Sequence, residues 1–87
     1  MSDQASSTEY ARGLVRLREL QQAVLLHLMG AGPTTWDTLY TRFTQYRTDE
    51  IAHTLRYLAR WDYITIDADS TTRITASGTH QLQRRSA

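Results

Sequence analysis

The chain has 87 residues, of which 40% are hydrophobic and 22% charged, and its formal net charge is +1. This length suits one domain, and the small net charge excludes a strong overall field that would by itself indicate a nucleic-acid partner. The absence of cysteine excludes disulfides and thiolate metal sites, and the longest apolar run is far shorter than a membrane span of ~20 residues. Because no basic or apolar leader opens the sequence, we expect a cytoplasmic protein that contacts no membrane.

The first predicted helix covers residues 8–29, after a small polar segment over residues 1–7 that we expect to be disordered. Thr8 is placed to cap this helix, and Glu9 is favourable in its first turn. Apolar residues recur at steps of three and four along this helix, as they do on a buried helix face. Its members are Tyr10, Leu14, Leu17, Leu20, Val24 and Leu28.

A second, thinner apolar stripe runs along the same helix and consists of Val15, Leu26 and Met29. A helix that is apolar on two sides is buried on two sides. In a chain this small, we expect the second covering surface to be another copy of the chain, so the stripe predicts a homodimer interface.

Two further helices follow the sequence "GAGP", in which Gly ends a helix and Pro cannot continue it. A second helix is predicted over residues 34–44, with Thr34 and Asp37 at the spacing of a capping box. A third helix is predicted over residues 48–61, with Thr48 as its cap. Their apolar residues follow helical spacing and are Trp36, Leu39, Tyr40 and Phe43 in the second helix and Ile51, Leu55 and Leu58 in the third.

The last part of the chain changes to alternating β-branched residues and then returns to a helical pattern. Residues 63–75 predict a short two-stranded hairpin, with "ADST" as its turn. Residues 76–86 predict a last helix, which Thr75 caps and Leu82 anchors in the core. The predicted fold class is therefore mainly α with a small β-hairpin, in a single domain over residues 8–87.

Two segments of the pattern resemble parts of a known fold. The segment "IAHTLRYLARWDYITI" resembles the path from recognition helix to wing in MarR- and PadR-type regulators. The later segment "RITASGTHQL" resembles the exit from the wing in the same families. Where those families usually have Gly in the turn, this chain has Asp62, which tolerates a left-handed backbone better than most residues. The resemblance implies a winged helix-turn-helix fold, with a three-helix core, a two-stranded wing, a C-terminal helix and an extended N-terminal helix.

The resemblance also implies a function, that of a sequence-specific transcriptional regulator, expected to be a repressor, which binds double-stranded DNA as a homodimer. In such proteins the outward side of the third helix enters the major groove. On that side, Arg56 has the two donors that match a guanine edge, and His53 can donate to a base acceptor. The other candidates for DNA contact are Arg42, Tyr46, Arg47, Thr48, Tyr57, Arg60 and Arg73.

The basic residues of the chain are all of one type. All ten are arginine, which indicates either a bias of the coding sequence or a use of forked donors that suit phosphates and guanine edges. The sequence leaves both explanations open.

Acidic residues near the predicted DNA surface leave a second function open. Asp49 and Glu50 lie in the first turn of the third helix, and Asp67 and Asp69 lie near the tip of the wing. Local reasons explain them, because acids suit a helix start and Asp favours turns. The alternative function is a winged helix that serves as a protein interaction module without binding DNA.

The sequence does not indicate an enzyme, a cofactor, a small-molecule ligand or a metal. It has no Gly-rich phosphate loop, and its histidines, His27, His53 and His80, lie on three different predicted helices without a pair at metal-ligand spacing. Trp36 and Trp61 are expected to pack in the core or at its rim.

Overall fold

The computed structural model describes the backbone of residues 2–86 and the side chains of residues 12–84. Its architecture is mainly helical, with one small antiparallel sheet. The elements in chain order are α1 (Ser2–Ala31), β1 (Thr34–Thr35), α2 (Trp36–Arg42), α3 (Thr48–Arg60), β2 (Ile64–Ile66), β3 (Thr71–Ile74) and α4 (Ala76–Ser86). Within the described residues, no helix is both long enough and apolar enough to cross a membrane.

Helix α1 is longer than its sequence pattern predicts. It begins at Ser2 and not at Thr8, so it includes most of the segment predicted as a tail and the residue predicted as its cap. The reason is that neither Gly nor Pro occurs before Gly13, and a single Gly is tolerated inside a helix at a cost of ~1 kcal/mol. The "GAGP" sequence ends the helix as predicted, because Gly32 has a left-handed φ of 83° and its N–H donates to the carbonyl of Leu28 at 2.9 Å.

The second half of α1 forms the centre of the core. Three of its predicted core residues are fully buried, namely Leu20, Val24 and Leu28. Leu25, which the predicted face omits, is buried as well. Leu14 is 41% exposed, so its predicted burial is wrong, and Leu17 is half-buried, because the first half of α1 extends beyond the elements that pack on the second. Tyr10 lies outside the described side chains.

The sheet has three strands in the order β1-β3-β2, one more than the predicted hairpin. The additional strand, β1, consists of Thr34 and Thr35, which pair with β3. It replaces the predicted start of the second helix, so the capping box of Thr34 with Asp37 is wrong. Thr35 caps α2 instead, since its hydroxyl accepts a hydrogen bond from the backbone N–H of Thr38 at 3.3 Å.

Helix α3 packs against α1, and its inner side is fully buried. The predicted core residues of this helix, Ile51, Leu55 and Leu58, are each at most 1% exposed. The chain leaves α3 through a left-handed residue, because Asp62 has a φ of 62° and the N–H of Tyr63 donates to the carbonyl of Leu58 at 2.9 Å. The conformation expected of Asp62 is therefore confirmed.

Helix α4 follows β3 with the bounds that the sequence predicts and packs on α1. Thr75 caps it, since its hydroxyl accepts from the N–H of Gly78 at 3.1 Å and donates to the carbonyl of Asp62. A Cβ at Gly78 would overlap the carbonyl oxygen of Tyr63, so the absence of a side chain lets α4 approach the start of β2. Leu82 is buried, as predicted.

Candidate nucleic-acid interface

The side of α3 that faces away from the core carries His53, Arg56 and Arg60, all of them exposed. They lie there because the helix repeats every 3.6 residues and its buried residues occupy the opposite side. Among residues 12–84, none of the three makes a side-chain hydrogen bond or an ion pair, and the same holds for the exposed Arg42 in the last turn of α2. Their nitrogen groups are therefore free to meet a ligand from outside the chain.

Two aromatic residues flank this basic side. Tyr57 is 39% exposed and Trp61 is 57% exposed, and their ring centroids lie 6.3 Å apart with the planes tilted by 55°. Trp61 does not pack in the core, because it follows the last buried turn of α3 as its C-cap. Trp36 does pack there as predicted, and it makes an edge-to-face contact with Tyr40.

The N-terminus of α3 differs from its outward side because its charges are paired. The Nε atom of Arg47 lies 3.2 Å from a carboxylate oxygen of Asp49, and both side chains are largely exposed. Arg47, and not the predicted Thr48, is the N-cap residue. Its backbone N–H donates to the carboxylate of Glu50 at 2.9 Å, which is the half of a capping box that an acidic side chain supplies.

Arg16 of α1 also contacts this end of α3, and it is not among the residues that the sequence predicts for the site. Its guanidinium donates to both carboxylate oxygens of Glu50, at 2.8 Å and 3.2 Å, and to the carbonyl of Gln45 at 2.8 Å. The same group lies 4.6 Å from the ring centroid of Tyr46. Helical spacing gives no signal for these contacts, because Arg16 and Glu50 are 34 residues apart in the chain.

These contacts set the ionisation of Glu50. The hydrogen bond from Arg16, followed by the backbone N–H of Arg47, holds the pKa of the Glu50 carboxyl below its ordinary value. In the other direction, the hydrogen bond to Glu50 raises the pKa of Arg16. Both groups are therefore charged at neutral pH, and the negative charge of Glu50 is matched inside the chain.

The hairpin of β2 and β3 also uses its charges internally. The Nε atom of Arg73 lies 3.0 Å from a carboxylate oxygen of Asp67. Asp69 accepts the backbone N–H of Thr71 at 3.1 Å, and hydrogen bonds from Thr71 lower the pKa of its carboxyl. Ser70 completes the turn with a left-handed φ of 66°. The turn-forming reason for Asp69 is thus confirmed, and Arg73 is already engaged.

The predicted stripe of α1 lies on the surface. Val15 is 53% exposed, Leu26 47% and Met29 48%. Residues that are 11 and 14 positions apart return to nearly the same side of a helix, and this side lies opposite the fully buried residues of α1. The stripe is therefore exposed, as the dimer hypothesis requires, and Glu19 and Gln22 lie on the same side between Val15 and Leu26.

The predicted DNA-contact residues thus lie on α3, in the turn before it, in the last turn of α2 and in the hairpin, and the predicted dimer residues lie on α1. Within residues 12–84, no three His, Asp or Glu side chains converge in a way that could hold a metal ion. His27 packs edge-to-face against Phe43, with ring centroids 5.9 Å apart.

Comparisons of the chain with protein-family models, with curated proteins and with solved structures found no match.

Proposed function

We propose that the chain is a sequence-specific DNA-binding transcriptional regulator with a winged helix-turn-helix fold, which acts as a homodimeric repressor. The observation that carries the proposal is the outward side of α3, where His53, Arg56 and Arg60 have no partner among residues 12–84. Guanidinium groups without an internal acceptor suit a polyanion, whose phosphates and guanine edges accept two parallel hydrogen bonds.

The order of the elements supports α3 as the recognition helix. A short turn over residues 43–47 joins α2 to α3, and the β2–β3 hairpin follows α3 directly. In a helix-turn-helix pair, the second helix enters the major groove and its first part lies nearest the bases. In this proposal the hairpin is the wing, and its paired charges give it a minor part in affinity.

The candidate residues divide into two roles in this proposal. Arg56, near the middle of α3, reads a guanine edge with two hydrogen bonds, and His53 contacts a neighbouring base. Arg60 and Arg42, which also have free guanidinium groups, bind phosphates. The remaining candidates supply weaker contacts to the DNA backbone, since most of them already have partners within the chain; they are Tyr46, Arg47, Thr48, Tyr57 and Arg73.

The stripe of α1 supplies the dimer contact in this proposal. Val15, Leu26 and Met29 are exposed on one side of a helix that also packs against α3. A two-fold pair of such helices would hold two recognition helices apart by about one turn of DNA, ~34 Å. An operator with two-fold sequence symmetry follows from this arrangement.

One observation favours a second function, that of a protein interaction module without DNA binding. Tyr57 and Trp61 form an exposed aromatic pair beside Arg60. Trp, Tyr and Arg are the residues most enriched where protein partners bind tightly. A module of this kind would show no salt-dependent affinity for DNA, which separates the two functions.

The test is a selection of binding sites from a pool of random duplexes, followed by fluorescence anisotropy at three salt concentrations. We expect the selected duplex to bind far more tightly than random DNA, with affinity that falls steeply as salt rises. Replacement of His53, Arg56 and Arg60 by Ala together should abolish this preference. Arg84→Ala is the matched control, because it removes an exposed arginine of α4 outside the proposed interface. Failure of the wild-type protein to bind any duplex at low salt would contradict the proposal.

A further inference from the structure

One side chain connects three separate segments near the proposed DNA surface. Arg16 belongs to α1, yet it contacts the carbonyl of Gln45 and the ring of Tyr46 in the turn between α2 and α3. It also donates two hydrogen bonds to Glu50 in the first turn of α3. The bidentate geometry fixes direction as well as distance, so these contacts tie the first turn of α3 to α1.

The partner of Arg16 is an acid in an unfavourable place for DNA binding. Glu50 lies in the first turn of α3, the end of a recognition helix that comes closest to the DNA. An unmatched carboxylate there would repel phosphates. Arg16 supplies the opposite charge at 2.8 Å, and the N–H of Arg47 donates to the same carboxylate.

We propose that Arg16 is a positioning residue for DNA recognition, which holds the N-terminus of α3 in place and cancels the charge of Glu50 without touching DNA. This inference rests on the function proposed above. It explains why an acid is compatible with the proposed surface. It also links the proposed dimer contact to the proposed DNA contact, because Arg16 directly follows Val15 in the sequence and contacts α3.

The test is a double-mutant cycle measured as affinity for the selected duplex. Arg16→Ala should weaken binding by about tenfold, the order of effect of one uncompensated charge near phosphates. Glu50→Gln should change affinity by no more than about threefold, and the double variant Arg16→Ala with Glu50→Gln should recover most of the loss. Arg84→Ala serves again as the control and should leave affinity unchanged.

Each outcome of the cycle has a distinct meaning. A loss in Arg16→Ala that Glu50→Gln does not recover would mean that Arg16 binds DNA itself, which overturns the inference. Unchanged affinity in Arg16→Ala would overturn it as well, while the proposed function would stand. Absence of DNA binding by the wild-type protein would overturn both.

A measurement without DNA checks the folded contact on its own. Carbon-detected NMR titration should show the pKa of the Glu50 carboxyl rising toward its ordinary value in Arg16→Ala, with circular dichroism unchanged. Arg16→Lys keeps the charge but loses the bidentate fork, so its DNA affinity should lie between those of the wild type and Arg16→Ala. An unchanged pKa of Glu50 in Arg16→Ala would overturn the inference before any DNA is added.

Discussion

Helices α1 and α3 both bury one side in the same core, yet the apolar residues exposed on α1 differ in chemistry from the residues exposed on the outward side of α3. The outward side of α1 carries the apolar stripe of Val15, Leu26 and Met29. The outward side of α3 carries basic side chains, Arg56 and Arg60 among them, and these have no partner among the described residues. An exposed apolar stripe gains free energy by contact with protein, whereas free guanidinium groups gain it by contact with anions.

The contrast assigns the two helices different partners in the proposed function. A second copy would cover α1, and DNA would cover α3. Because α1 packs on α3 through the core and through Arg16, the position of one partner fixes the position of the other.

The largest effect is expected at the stripe of α1. Leu26→Asp places a charge in the proposed dimer contact, so sedimentation should show a monomer. Operator affinity should then fall by roughly 100-fold or more, because two linked half-sites bind far more tightly than one. Gln83→Asp, which adds the same charge at an exposed position of α4, should leave the dimer intact. A Leu26→Asp protein that remains dimeric would move the interface elsewhere, for example to α4.

The next effect concerns base reading on α3. Arg56→Ala should reduce the preference for operator over random DNA by ~1–3 kcal/mol, or roughly 5- to 150-fold, because it removes two hydrogen bonds to one base. Anisotropy on both duplexes at one salt concentration measures this ratio. If the affinity for operator and the affinity for random DNA fell equally, Arg56 would be a phosphate contact.

Arg60, one turn further along α3, is expected to act without regard to sequence. Arg60→Ala should weaken binding to operator and random DNA by similar factors, because every sequence has the same phosphates. The slope of log affinity against log salt should become flatter by about one unit. A loss confined to the operator would assign Arg60 to base reading instead.

A smaller effect of opposite sign is expected at the hairpin. Asp67→Asn removes the carboxylate that pairs with Arg73, so the freed guanidinium should tighten binding to both duplexes by about two- to threefold. Asp69→Asn is the matched control, since it removes one negative charge but can keep the hydrogen bond from Thr71. Equal tightening in both variants would show that net charge, and not release of Arg73, is responsible.

The smallest effect is on stability at low pH. The pKa of Glu50 is lowered in the folded chain, whereas an unfolded Glu has a pKa of about 4.3. Its contribution to stability is therefore complete above the unfolded pKa and is lost as pH falls through the folded pKa. Urea unfolding should show the wild type more stable than Glu50→Gln at pH 7, with the difference vanishing in strong acid. A difference that is independent of pH would exclude the ion pair as its cause.

Some features that arise from neighbouring residues follow the sequence, although two of the predicted helix caps lie one residue away from their predicted positions. The left-handed Asp62 and the cap at Thr75 depend on a few adjacent residues, and both are found where predicted. Strand β1 was missed because two threonines are too short a pattern, and the partner that makes them a strand is β3. The ion pair of Arg16 with Glu50 could not be predicted, since only the packing of α1 against α3 brings the two residues together.

Contact of α3 with DNA can be observed directly by an NMR titration of the labelled protein with its selected duplex. If α3 reads DNA, the largest shifts should fall on His53, Arg56 and Arg60, while the stripe of α1 should be unaffected in a protein that is already dimeric. The imidazole of His53 and the guanidinium groups report the contact through their side-chain signals. Recognition of DNA by α3 would be contradicted if no signals shifted, or if the shifts were confined to Tyr57 and Trp61 or to the stripe of α1.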